Sequence, residues 1–228
     1  DNYVQSIGNL KLKTNHLAFN QIKNTETKAD TFWFFNSAKS KMKITFDKLP
    51  EWINVSEADF VIKPKSEKYV IITYFGNKRN DWGLIFDKIH LKTNDVTLKE
   101  KTFFVSAQID EDFSLLSKET LSDAPQISVD NTDYNFGEVR EGSSVKHDFI
   151  ISNKGKSDLI LRKIQASCGC TTLQTPTNVI KPGESIAITA YFMTSGRQGE
   201  QHKTISIITN DPAKPFIMLN IIGNILPF

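Results

Sequence analysis

The chain repeats itself, and this restricts its fold more than any other feature. With one part laid beneath the other at an offset of 117 residues, Phe19 meets Phe136, Phe32 meets Phe149 and Phe34 meets Ile151. Asn36 likewise meets Asn153, and Ser40 meets Ser157. Val61-Ile62-Lys63-Pro64 matches Val179-Ile180-Lys181-Pro182 at 118, and Tyr74-Phe75 matches Tyr191-Phe192 at 117. Thr93-Asn94-Asp95 matches Thr209-Asn210-Asp211 at 116. An offset that drifts by single residues is what a duplicated domain with small insertions at turns would show. The 228 residues suit two domains of about 100–120 residues each.

Each copy reads as strands. Val145, Phe149 and Ile151 share one phase, as do Ile186, Ile188 and Phe192, the period of two expected of a half-buried strand. Turn chemistry separates them at Asn153-Lys154-Gly155, Lys181-Pro182-Gly183 and Asn210-Asp211-Pro212. The expected fold is all-β: two tandem immunoglobulin-like β-sandwich domains at residues 8–109 and 126–228, joined by a linker at 110–125. Phe19, Phe32, Phe34, Phe136, Phe149 and Ile151 are expected in the cores, and Trp33 with them because of its aromatic neighbours. In the linker, Phe113, Leu115 and Leu116 are expected to dock on a domain.

With 28 basic and 26 acidic residues the net charge is +2, which excludes a strongly basic nucleic-acid binder. No run approaches the ~18 apolar residues of a membrane helix, so no transmembrane segment is expected. The chain opens at Asp1 with neither Met nor leader. It is therefore expected to be a mature chain whose export signal has been removed, or a fragment. There is no Gly-x-Ser-x-Gly, no His-Glu-x-x-His and no phosphate-binding glycine loop, so neither an enzyme nor a bound cofactor is expected.

Two side-chain groups could still carry function. Cys168 and Cys170 are the only cysteines, and the first copy has none. They could hold Cu(I), form a small-ring disulfide or redox pair, or simply pack. Exposure would favour redox chemistry and burial inert packing. His147 and His202 are the histidines that could approach them. Trp52 and Trp82 lie beside turn-like residues and are candidate exposed binding aromatics or lids on the sandwich ends.

Asn135-Phe136-Gly137, Ser152-Asn153-Lys154-Gly155, Ser167-Cys168-Gly169-Cys170-Thr171-Thr172 and Ile180-Lys181-Pro182-Gly183-Glu184 carry a resemblance. They resemble the uncharacterised bacterial domain-of-unknown-function family numbered fifteen-seventy-three, related to ASPM–SPD-2–Hydin immunoglobulin-like domains. The first copy departs from that pattern, with Glu51-Trp52-Ile53-Asn54-Val55 near the place of the Cys run. The resemblance implies an exported protein of the Gram-negative periplasm or cell envelope, and no catalytic activity. The function expected is an interaction or structural module that binds a protein or glycan partner. The alternatives are a thiol-redox or copper-handling protein using Cys168 and Cys170, and a periplasmic pilus-type chaperone.

Overall fold

A computed structural model describes residues 3–228, and the chain divides into two compact units that meet between Asp112 and Phe113. The first unit holds β1 (Gln5–Ile7), β2 (Leu10–Leu12), β3 (His16–Lys23), β4 (Thr27–Asn36) and β5 (Met42–Asp47). It continues with β6 (Ile53–Val55), β7 (Asp59–Ile62), β8 (Glu67–Phe75), β9 (Gly83–Thr93) and β10 (Glu100–Asp110). The second unit opens with a short helix, α1 (Lys118–Ser122), capped by Ser117. Its strands are β11 (Ile127–Val129), β12 (Asp133–Arg140), β13 (Ser144–Asn153), β14 (Leu159–Ala166) and β15 (Thr171–Gln174). Then follow β16 (Val179–Ile180), β17 (Ser185–Met193), β18 (Gly199–Thr209) and β19 (Phe216–Leu226).

The two units share one strand order, apart from the extra edge strand β1 of the first. The sheets of the first are β1-β2-β4-β8-β6 and β3-β10-β9-β5-β7; those of the second are β11-β13-β17-β15 and β12-β19-β18-β14-β16. Each is a sandwich whose strands pair antiparallel, apart from the parallel pairs β3–β10 and β12–β19. Alternation along β4 sends Phe32 and Phe34 inward, where Phe32 stacks on Phe103 of the facing sheet at 4.1 Å. Phe19, Phe32, Phe34, Phe149 and Ile151 are buried, as their phase requires. Phe136 is only half-buried, and its ring packs on Gly223, where an added Cβ would stand 2.4 Å away.

The structural offsets differ from the sequence alignment in two places. The extra residue of the second copy sits inside a strand, as a bulge at Arg162 between Leu161↔Thr209 and Lys163↔Ile208. Tyr74, opposite Ile53, therefore corresponds to Phe192, opposite Thr171, and the Tyr-Phe match at 117 is slipped by one. Trp33 also departs from expectation. It points outward between Phe32 and Phe34, since four consecutive aromatics on a strand cannot all face one core. Leu115 is 80% exposed rather than docked, whereas Phe113 and Leu116 are half-buried, and Asp112 is tied to Lys23 and Thr25.

The repeated polar residues hold both frames. Asn36 is fully buried, and its Nδ2 donates to the carbonyls of Ser40 (2.8 Å) and Ile62 (3.1 Å). Asn153, also fully buried, donates to Ser157 (2.7 Å) and Ile180 (2.9 Å). Each amide thereby ties the turn that follows its strand to a carbonyl of the neighbouring strand β7 or β16. The Thr-Asn-Asp corner works alike in both copies. Asn94 Oδ1 accepts from Lys43 N (2.8 Å) and Asn210 Oδ1 from Ile160 N (2.7 Å). Asp95 and Asp211 accept from the backbone N–H of Asn9 and Ile127, both at 2.8 Å, which pins the entering segment. In the first domain Asp95 also meets the buried Lys101 ammonium at 2.7 Å, and these donors hold its carboxyl well below the usual range despite burial.

Asn153→Ala should cost the second domain about 2–4 kcal/mol, since each buried group left unsatisfied costs about 1–3 kcal/mol. Asn36→Ala should cost the first domain as much. Urea unfolding read by amide hydrogen exchange in each domain measures both. A loss under about 0.5 kcal/mol, the range of an ordinary surface substitution, would contradict the role assigned to these amides.

Candidate functional site

The cysteines lie where the chain crosses from one sheet to the other. β14 ends at Ala166 in the sheet β12-β19-β18-β14-β16 and β15 begins at Thr171 in the sheet β11-β13-β17-β15, so Cys168, Gly169 and Cys170 form a turn rather than a regular strand. Ser167 N donates to the Thr204 carbonyl (2.8 Å), and Thr204 N donates to Ser167 Oγ (3.0 Å). On the other side Thr171 N donates to the Cys168 carbonyl (3.3 Å), and Met193 N to that of Cys170 (3.0 Å). In the first domain Ile53 N donates to Pro50 O and Phe75 N to Trp52 O, both at 2.9 Å. Pro50, Glu51 and Trp52 thus occupy the places of Cys168, Gly169 and Cys170. Two candidate groups read separately from the sequence are one corner of the fold, built in two chemistries.

In the first domain the corner is a plug. Trp52 is half-buried on the core, with the Arg79 guanidinium 4.0 Å above its ring. Arg79 reaches Asp87 at 3.6 Å, and Asp87 accepts from Tyr74 Oη at 3.1 Å. Burial first, and then the Asp87 charge, push the Tyr74 phenol up. Trp82 is likewise half-buried against the core. Neither tryptophan is the free-standing aromatic that turn-like neighbours suggest; both are lids.

In the second domain Cys168 and Cys170 are joined by a disulfide, with Cα atoms 5.2 Å apart. Cys170 is 6% exposed, packed with Val145, Phe192 and Ile225, whereas Cys168 is half-buried. The choice between exposed and buried thiols therefore divides the pair. Bonded sulfurs are not thiolate ligands for copper, and among the described residues no three His, Cys, Asp or Glu side chains converge. His147 instead stacks on Tyr134 at 3.8 Å, and His202 pairs with Asn220 Oδ1 at 2.8 Å. Closing a three-residue loop restricts the unfolded chain by only about 1.5 kcal/mol, against roughly 4.7 kcal/mol for a hundred-residue loop. The bond is a weak staple.

A second feature lies on the outer face of β4 and β8. Trp33 stands opposite Tyr69 with ring centroids 4.9 Å apart, and the Lys13 ammonium caps Trp33 at 3.7 Å. Tyr3 packs on Phe35 at 5.3 Å and donates to Glu67 Oε2 at 2.6 Å. Tyr69 is 49% exposed and Ile71 41%. A groove of about 580 Å³ runs between Trp33, Ser56, Glu67, Lys68, Tyr69 and Ile71. The strand pairing places Ile150, Ser152, Ala187 and Thr189 at the corresponding positions of the second domain. The aromatic face belongs to one copy only. Four consecutive aromatics from Phe32 to Phe35 were the signal for it, since a period of two must turn two of them outward.

Residues 127–225 match the model of a family described as protein of unknown function (DUF1573). The DUF1573 match ends where the second sandwich ends and leaves the first domain outside it. No curated protein matches the sequence. A solved protein of unknown function from Porphyromonas gingivalis W83 shares the fold at 18% identity and TM-score 0.70, covering 95% of this chain and all of that one. The ASH / PapD-like domain of human CEP192 aligns at 9% identity and TM-score 0.40, over 50% of this chain and 94% of its own. The CupB2 chaperone of Pseudomonas aeruginosa aligns at 10% and 0.37, over 92% and 97%.

Burial holds the His147 imidazole below its usual value near 6.5, against the pull of Asp130 and Asp148. The unfolded chain therefore binds a proton that the folded chain refuses, and stability should fall as pH drops below about 6.5. Urea denaturation at pH 7.5 and 5.0 should show this loss in the second domain, and His147→Phe should reduce it. Equal losses in the two proteins would contradict the assignment.

Proposed function

We propose that this chain is a non-enzymatic protein-binding module of the cell envelope that engages its partner through the aromatic face of the first domain. The observation that carries this reading is the difference between the copies. The frame tolerates Ile150, Ser152, Ala187 and Thr189 at positions where the first domain exposes Trp33, Phe35, Tyr69 and Ile71 to the outer side. Architecture does not demand these rings. Tryptophan and tyrosine dominate binding energy at protein interfaces when charged groups rim them. Here the rim is Lys13 and Glu67, with Lys68 paired to Glu57 at 2.6 Å. Ile71 adds an exposed apolar side chain beside the rings, which suits an apolar protein contact. The envelope setting rests on the DUF1573 resemblance.

Chemical crosslinking in an envelope extract tests the proposal with three forms of the chain. Wild type and Leu84→Ser/Phe86→Ser, altered on the exposed face of β9, should capture the same discrete partner. Trp33→Ala/Tyr69→Ala should capture at least tenfold less, the loss expected for removing two central anchors. Undiminished capture by that variant, retention on a polysaccharide through the same face, or uptake of a partner strand along a sheet edge as in a pilus chaperone would overturn it.

A further inference from the structure

We propose that the Cys168–Cys170 bond is a reversible thiol–disulfide exchange site, entered at Cys168, whose substrates are dithiols and disulfides. Three observations carry this. The first is the asymmetry of the pair. Cys168 is half-buried, while Cys170 is closed off by Val145, Phe192 and Ile225. Gly169 between them is exposed, and a Cβ built on it would meet nothing within 4 Å. The approach to the bond is open on the Cys168–Gly169 side and shut behind Cys170.

The second is the corner itself. The hydrogen bonds that Thr171 N and Met193 N make to Cys168 and Cys170 recur at Pro50 and Trp52, where no sulfur is present. The turn therefore does not need the disulfide to keep its shape. Once reduced, the two thiols stay on a backbone held at Ser167 by Thr204 and at Cys170 by Met193. Reclosure is then an intramolecular reaction between groups already in place, which gives a high effective concentration. The third is the choice of chemistry. The other copy closes this corner permanently, with Pro50 fixing the backbone and Trp52 filling the space, whereas this copy uses a bond that can open and re-form.

The exchange balances as two displacements. A thiolate of an external dithiol attacks Cys168 Sγ, the Cys168–Cys170 bond breaks, and its electron pair leaves on Cys170, which takes up a proton. The second thiolate of the dithiol then attacks its own sulfur in the mixed disulfide and releases Cys168, which is protonated in turn. One dithiol is oxidised to a disulfide, and one protein disulfide is reduced to two thiols. The reverse sequence oxidises the protein with an external disulfide.

Equilibration of the intact chain in dithiothreitol redox buffers, followed by alkylation and mass measurement, tests this. A single reversible two-electron transition is expected in the folded protein, with amide exchange protection of the second domain retained in the reduced form. Limited alkylation should mark Cys168 before Cys170. Independently, Cys170→Ser should form a mixed disulfide with glutathione disulfide at least tenfold faster than Cys168→Ser. Reduction only after unfolding, loss of the second domain's protection on reduction, or equal rates for the two single variants would overturn the proposal.

Discussion

A buried primary amide sets what each domain can be. Asn36 and Asn153 sit at the ends of the longest strands of their sheets, with no exposure, and each bonds carbonyls from two other segments. An asparagine without those carbonyls would carry a desolvation cost of order 1–3 kcal/mol, so turn, neighbouring strand and amide must assemble together. The Thr-Asn-Asp corner extends the same logic to the edge of the second sheet and the segment entering the domain. Hydrophobic alternation alone would permit many sandwiches. These repeated polar residues select one strand order, twice.

With the frame held by a few amides and carboxylates, positions elsewhere are free to diverge, and they diverge in two places. The outer face of β4 and β8 is aromatic in one copy and small or aliphatic in the other. The crossover corner is Pro50 and Trp52 in one and a disulfide in the other. Both places lie outside the shared network, so neither difference disturbs the register. A fixed scaffold leaves such positions free to carry a site, since function resides in sites placed on a fold rather than in the fold itself.

The tandem sandwich was legible because a duplicated pattern reports a fold twice, and inward positions such as Phe32 and Phe149 keep their phase through the offset. Trp33 was misread because aromatic neighbours suggest a core, whereas strand geometry alternates them. The one-residue drift looked like a longer turn but is a bulge at Arg162, which pattern cannot place, since a bulge leaves the flanking alternation intact. The sequence placed Trp52 near the position of the Cys run, but its residue-by-residue equivalence with Cys170 was not legible. It is defined by backbone hydrogen bonds to Phe75 and Met193, distant in the chain, and the two side chains share no chemistry. The roles of Asn36 and Asn153 lay in view as repeated letters, but their partners are brought to them only by the fold.

The central claim is that the aromatic face is a binding feature and not a structural one. Replacing it with its counterparts from the second domain, as Trp33→Ile/Phe35→Ser/Tyr69→Ala/Ile71→Thr, separates the two directly. Urea denaturation of this variant should show a first domain that still folds cooperatively, less stable by about 1–3 kcal/mol for the lost ring pairs and the Lys13 contact, while partner capture is lost. A first domain that unfolds, or a variant that still captures its partner, would contradict the account.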